Sequence, residues 1–327
     1  MIEKLSIKNF KSIKDLTINC KRINLFIGEP NTGKSNILEA LGLLSWSSHV
    51  NTGLKEYARF QGTQNLFYDN LLDHAVEIEI DKFHMKIIFE SDEFRFEITS
   101  FEDEKEGGKK TPLTLNYNGN TEGTYNLISD LGFIKFFRFK SQNEFPDRSA
   151  SFLLPPYGSN QFAVVMANKK LRETMSSFFK NFDLNLVFKP QEKIFEIQKQ
   201  VDNLVFSYPY TLTSDTLQTI LFHTIAIESN QNSTLVFEEP ESHAFPYYTK
   251  YLGEKIALDE SNQYFITTHN PYLLLSILEK AKKDSVNVFV TYFKDYQTKV
   301  KCLTEEQLSE LMDYDPFFNL NSFIEWE

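Results

Sequence analysis

Residues 23–35 read I-N-L-F-I-G-E-P-N-T-G-K-S. The apolar run Ile23–Ile27 ends at Gly28, and Gly28, Glu29, Pro30, Asn31, Thr32, Gly33, Lys34 and Ser35 complete a G-x-x-x-x-G-K-[ST] phosphate loop. From Lys34 to about Leu44, the residues Ile37, Leu38, Leu41 and Leu44 recur on one face of a helical pattern. Strand, glycine loop and helix in that order predict backbone N–H groups converging on phosphate oxygens at a helix N-terminus, where the peptide dipoles favour anions. Lys34 is expected to reach the terminal phosphates, the Ser35 hydroxyl to ligate Mg²⁺, and Asn36 to belong to the same binding segment. A glycine turn that merely caps a helix is the plainer alternative, and the flanking strand and helix argue against it.

Working outward, the opening predicts two short strands, Glu3–Ile7 and Leu16–Asn19, around a turn at Asn9–Lys14. Residues 76–99 alternate like strands, and the polar stretch Glu102–Lys110 reads as an exposed turn. A strand at Ile134–Phe139 precedes a loop, and the prolines of L-L-P-P-Y-G-S-N (Leu153–Asn160) punctuate the chain. Helical periodicity across Asn160–Phe182 and strands across 184–207 follow. The final third alternates: helix Ser214–Ser229, strand Thr234–Phe237, helix Tyr247–Leu258, strand Gln263–Thr267, helix Pro271–Lys282, strand Val286–Tyr292. Uniformly apolar strands between helices point to a parallel sheet covered on both faces.

A second motif, T-L-V-F-E-E-P-E-S-H, occupies Thr234–His243. A buried strand ending in two acids suits a Walker B element behind a phosphate loop. Glu238, where many P-loop ATPases carry Asp, is expected to hold Mg²⁺, and Glu239 to take a proton from the attacking water. A third, I-T-T-H-N-P at Ile266–Pro271, puts His269 at another strand exit, where it can contact a γ-phosphate. His49, His74, His84 and His223 lack comparable context.

Composition narrows the field. Hydrophobic residues make up 41% of the 327, including 31 Phe, which is ample for a packed interior. The two cysteines, Cys20 and Cys302, form neither a disulfide framework nor a metal-ligand spacing, which fits a reducing compartment. A net charge of −11 argues against nonspecific coating of nucleic acid. Neither a signal peptide nor a membrane-spanning run is read, so a cytoplasmic protein without a membrane partner is expected.

The opening I-x-x-L-x-I-x-N-F-K-S-I, the phosphate loop, F-E-E-P-E-S-H and T-T-H-N-P together resemble the RecF/SMC/OLD branch of ABC-type ATPases, over roughly residues 1–50 and 205–290. The resemblance implies an α/β fold: a P-loop NTPase of ABC-ATPase type, with a mostly parallel sheet, helices on both faces and an antiparallel β lobe. A single head over 1–327, with 76–205 inserted as a β/α lobe, is expected. The resemblance further implies a homodimer closing face to face on two ATP molecules with Mg²⁺. It makes Glu239 the catalytic base, His269 the switch histidine, Glu241–His243 part of a D-loop at the seam, and Gln142 the glutamine that links metal to the inserted lobe. The signature segment departs from the family: Y-T-L-T-S-D-T-L-Q-T keeps a serine, Ser214, but lacks the glycine that normally follows. Ser214 is expected either to approach the partner's nucleotide or simply to cap the next helix, with slow or partner-dependent hydrolysis as the consequence.

What is missing is also informative. No sustained heptads lie between Asn36 and Thr234, which excludes a long coiled-coil arm, and the stretch after His269 is too short for an appended nuclease domain. The tail F-F-N-L-N-S-F-I-E-W-E reads as an apolar plug. These features suit a compact ATPase head that regulates a separate effector, such as a nuclease or toxin, with DNA as a conceivable partner in repair or antiviral defence. The alternative is a nucleotide-gated interaction protein with little hydrolysis. A P-loop kinase or a transporter subunit fits the T-T-H-N-P switch and the N-terminal strands less well.

Overall fold

The computed structural model describes residues 1–49, 52–100, 109–122, 129–180, 182–242, 244–313, 317 and 320–324. A hairpin of β1 (Lys4–Phe10) and β2 (Ile13–Asn19) leads into β3 (Ile23–Gly28) and α1 (Lys34–Ser48). Next come β4 (Val76–Ile80), β5 (Phe83–Glu90), β6 (Glu93–Ser100), β7 (Lys109–Leu115), β8 (Thr121–Glu122) and β9 (Ile134–Phe137). Helices α2 (Gln161–Ala167) and α3 (Lys169–Lys180) precede β10 (Asn185–Lys189), β11 (Ile194–Val201) and β12 (Leu204–Pro209). The last part runs α4 (Asp215–Ser229), β13 (Thr234–Glu238), α5 (Pro246–Leu258), β14 (Gln263–Thr267), α6 (Pro271–Lys280), β15 (Val286–Lys294), β16 (Gln297–Cys302) and α7 (Glu305–Asp313).

The central six-stranded sheet has the order β16-β15-β3-β14-β13-β9. All neighbours in it are parallel except β16, which pairs antiparallel with β15. Its strands are apolar on both faces because both are covered. Ile23, Leu25, Ile27, Leu235, Phe237, Tyr264 and Ile266 face one core, shared with Ile220 and Ile225 of α4, Leu252 and Ile256 of α5, and Leu273 and Ile277 of α6. The intervening Phe26, Val236 and Phe265 face a second core with Ile37, Leu38, Leu41 and Leu44 of α1. Each large apolar side chain buried this way contributes about 1.5–3 kcal/mol.

Behind α1 lies a seven-stranded sheet, β2-β1-β4-β5-β6-β7-β8, antiparallel throughout. Helix α1 is thus held between two sheets, with Trp46 edge-on to Phe96 at 5.5 Å. Segment 76–205 is shared among three sheets: β4–β8 extend the N-terminal hairpin through the β1–β4 pairing, β9 is an edge of the central sheet, and β10–β12 form a sheet of their own.

Several boundaries differ from expectation for identifiable reasons. The first turn is tighter than Asn9–Lys14, because Asn9 and Lys11 adopt positive φ (54° and 52°) and let β1 and β2 pair up to Phe10 and Ile13. The helix expected across Asn160–Phe182 breaks at Asn168, whose backbone is extended and whose side chain accepts from Leu171 N–H at 3.2 Å to start α3. Strand β9 stops at Phe137. Strand β16 and helix α7 were not anticipated at all. Of the expected turn Glu102–Lys110, residues 101–108 lie outside the described ones, and Lys109 and Lys110 belong to β7. In the tail, Leu320 and Phe323 pack into the helix-side core as a plug should.

Helices α5 and α6 meet at Gly253, where a Cβ would lie 2.0 Å from Ser276 Oγ. Gly253→Ala is expected to lower stability by about 1–2 kcal/mol despite the better helix propensity of Ala. The added Ser276→Ala change should restore most of it, and additive losses in a denaturant-midpoint double-mutant cycle would contradict this close approach.

Candidate active site

Strands β3, β14 and β13 are adjacent and parallel, with Phe26 opposite Thr267 and Thr267 opposite Glu238. Parallel neighbours end at the same edge, so the three motifs read along the chain must meet there. The phosphate loop follows β3, the Glu238–Glu239 pair closes β13, and Thr268–His269 leaves β14.

Gly33 at φ +95° forms the bend into α1, and a Cβ there would lie 1.9 Å from Thr298 Oγ1. The loop is braced from below by hydroxyls of the β15–β16 hairpin. Thr32 Oγ1 pairs with Thr291 Oγ1 at 2.9 Å and donates to the Glu29 carbonyl at 2.9 Å. Thr291 donates to the Ile27 carbonyl, Ser12 Oγ pairs with Thr298 Oγ1 at 2.7 Å, and Asn36 donates to Ser12 Oγ at 2.6 Å. Lys34 Nζ donates to the carbonyls of Gly28 (2.9 Å) and Glu29 (2.7 Å). Burial lowers its pKa to about 8, against the attraction of Glu239 and Glu29.

Glu238 sits within hydrogen-bonding reach of the Ser35 hydroxyl and receives Arg59 on Oε1 (2.9 Å) and Arg138 on Oε2 (3.1 Å). Burial pushes this carboxyl up, but Ser35 and the two guanidinium groups outweigh it and hold the pKa below the usual range. Arg59 also bridges to Glu39, a fully buried acid of α1 that pairs with Lys11 from the first turn. One charge cluster therefore joins the N-terminal hairpin, α1, β9 and β13.

Glu239 adopts the left-handed region (φ +43°), unusual for a non-glycine residue and costing about 1–3 kcal/mol. Its N–H is held by Thr267 O at 3.1 Å and Thr267 Oγ1 at 3.2 Å. This turn aims the carboxylate at His269, whose Nε2 lies 3.4 Å from Glu239 Oε1. Burial and then Lys34 lower the His269 pKa, against Glu239. Lys34, Ser35, Asn36, Arg59, Glu239 and His269 line a cleft of about 500 Å³ that opens over the phosphate loop. A second cavity of about 490 Å³ shares Ser35, Arg59 and Glu239 and reaches Glu238, Arg138 and His223.

Gln142 and Ser214 do not line the cleft over the phosphate loop. Gln142 donates its side-chain amide to the Tyr157 carbonyl at 2.6 Å. The chain is drawn off just past β9, where Arg138 N–H bonds Pro156 O at 2.9 Å, and Arg138 itself takes the position beside Glu238. Ser214 is exposed and caps α4, accepting from Leu217 N–H at 3.4 Å. Of the expected D-loop, Glu241 is buried and His243 lies outside the described residues. Sequence reading missed Arg59, Arg138, Glu39, Thr291 and Thr298. Glu39 left a signal, as an acid directly following Leu38 on the apolar helix face, whereas the loop residue Arg59 left none.

His223 of α4 is packed against Phe222 and Phe237, with Nδ1 on the Thr219 carbonyl at 2.9 Å. Burial lowers its pKa from 6.5 to about 4. Neutral in the fold but protonated when unfolded below pH 6.5, it makes stability fall as pH drops from about 6.5 to about 4, by roughly 3 kcal/mol in all. His223→Leu should flatten the melting temperature against pH over that window; an unaltered slope would clear His223 as its source.

No helix among the described residues is long and apolar enough to cross a membrane. Residues 1–217 match the family described as the AAA ATPase domain. The chain is 23% identical over 356 aligned residues to an ATP/GTP phosphatase of Helicobacter pylori, covering 94% of this chain and 93% of that protein. In fold it is similar to an Smc head bound to the C-winged helix domain of ScpA, at 15% identity and TM-score 0.52, covering 94% of this chain and 99% of that one. It is likewise similar to a Pyrococcus furiosus Smc head with an extended coiled coil bound to the C-terminal domain of ScpA, at 14% identity and TM-score 0.52, covering 95% and 98%.

Proposed function

The chain belongs to the AAA ATPase domain family and is an ATPase, and from that premise we propose that it closes head to head on ATP and Mg²⁺ to regulate a separate effector protein. The observation that carries the hydrolytic part is the convergence of Lys34, Ser35, Glu239 and His269 on one cleft.

The donor set suits Mg²⁺. Among the described residues no three or more His, Cys, Asp or Glu side chains cluster as a metal site. Mg²⁺ needs none, since one carboxylate, one hydroxyl, phosphate oxygens and water fill its shell. Ser35 and Glu238 supply the first two, and each Glu238 oxygen has a second lone pair beyond its arginine. When bound, the ion would neutralise charge on the β- and γ-phosphates. Lys34 exchanges the loop carbonyls for phosphate oxygens. Glu239 accepts the proton of the attacking water. His269, whose pKa is lowered by burial and Lys34 against Glu239, presents an imidazole N–H that can donate to the γ-phosphate.

Closure on a second copy is supported by exposed apolar side chains on the segments that follow the site's turns, Phe245 and Tyr247 at the start of α5 and Tyr272 at the start of α6, and by Leu212 beside Ser214, all more than half exposed. Ser214 is exposed at the N-terminus of α4, which leaves it accessible to the nucleotide of a second copy. The missing signature glycine leaves a bulkier approach, so the isolated protein turns over slowly and a partner accelerates it. Fold neighbours that are Smc heads bound to ScpA domains support a partner-protein role, here a nuclease or toxin in defence or DNA repair.

Glu239→Gln is expected to lower hydrolysis by roughly a hundred-fold or more and to double the molar mass by light scattering only with ATP and Mg²⁺. Lys34→Ala should abolish uptake of labelled ATP. Undiminished turnover in the first variant would remove Glu239 as base, and a mass unchanged by nucleotide would remove the dimer.

A further inference from the structure

We propose that Glu241 is a positioning residue that fixes His269 against Glu239 by lacing the turn after β13 to the turn after β14; this rests on the reading of Glu239 and His269 as the hydrolytic pair. Glu241, in the segment expected near a subunit seam, is only 5% exposed in the single chain. Its Oε1 accepts from the Thr268 hydroxyl and from His269 N–H at 3.3 Å. Thr268 Oγ1 in turn accepts from Asn270 N–H at 3.0 Å, and Asn270 Oδ1 caps α6 at Tyr272 N–H (2.8 Å). One carboxyl oxygen thus determines the backbone on both sides of the histidine and, through it, the ring that lies 3.4 Å from Glu239.

The placement costs stability. Among the described residues Glu241 Oε2 is buried with no partner, and burial pushes the carboxyl up to about 7. An apolar residue of the same size would avoid both penalties. What an apolar residue lacks is an acceptor for Thr268 and His269 N–H, and that acceptor is what the site retains.

A glutamine keeps the acceptor oxygen and an alanine does not, which gives the test. In steady-state ATP hydrolysis by the full chain, Glu241→Ala should lower kcat by about tenfold to a hundred-fold, with KM and ATP affinity within about twofold of the parent. Glu241→Gln should stay within about threefold. Should Glu241→Ala fail to fold, Thr268→Val removes one of the two donors at constant shape and should lower kcat about three- to tenfold, again without a change in KM. Equal loss in the Gln and Ala variants, a loss in affinity matching that in kcat, or parental turnover in Glu241→Ala or Thr268→Val overturns the proposal. Glu239→Gln and His269→Ala run alongside separate the two levels. If they leave turnover intact, the hydrolytic pair itself is wrong, whereas if they abolish it and Glu241→Ala does not, only the positioning role falls.

Discussion

The site depends on the side-by-side parallel pairing of β3, β14 and β13. Parallel strands deliver their C-terminal ends to one edge, so the phosphate loop meets two turns that lie more than two hundred residues further along the chain. Everything catalytic sits in the turn after one of these strands, and none of it would meet if one pairing shifted register. The pairing is stabilised from both faces by alternating side chains, Ile23, Leu25 and Ile27 toward α4–α6 and Phe26 toward α1. A shift by one residue would swap those faces and set the large Phe26 ring among the wrong helices.

On that frame the local chemistry is arranged against intrinsic preference. Glu239 sits in a left-handed turn that a glycine would occupy more easily, and Glu39 is an acid without solvent exposure. Glu241 leaves an oxygen without a partner among the described residues. Such costs are tolerable because the strands on either side over-determine the backbone, and they fall where carboxylates of defined direction are needed.

Much of this was legible beforehand. The phosphate loop, the acid pair and the T-T-H-N-P exit are contiguous words whose meaning depends on strand ends, and apolar runs such as Leu235–Phe237 mark those ends. Less legible was whatever depends on the meeting of distant residues. Arg138 beside Glu238 and Thr298 beneath Gly33 carry no local signature, because a side chain's partner across a sheet is set by register and not by spacing. The same holds past β9: the strand ends sooner than the apolar run Ile134–Phe139 implies, so the residue seen beside Glu238 is Arg138 at the strand's exit. The break at Asn168 was concealed because helical periodicity continues across it.

The hairpin of β15 and β16 packs against the phosphate loop. Its threonines seat the phosphate loop from below, although they lie more than 250 residues further along the chain. A chain emerging from the ribosome therefore exposes its loop and first helix long before the hydroxyls that shape that loop exist. The bracing of the loop by Thr291 and Thr298 is thus completed only late in synthesis, once the hairpin that carries both threonines has been made.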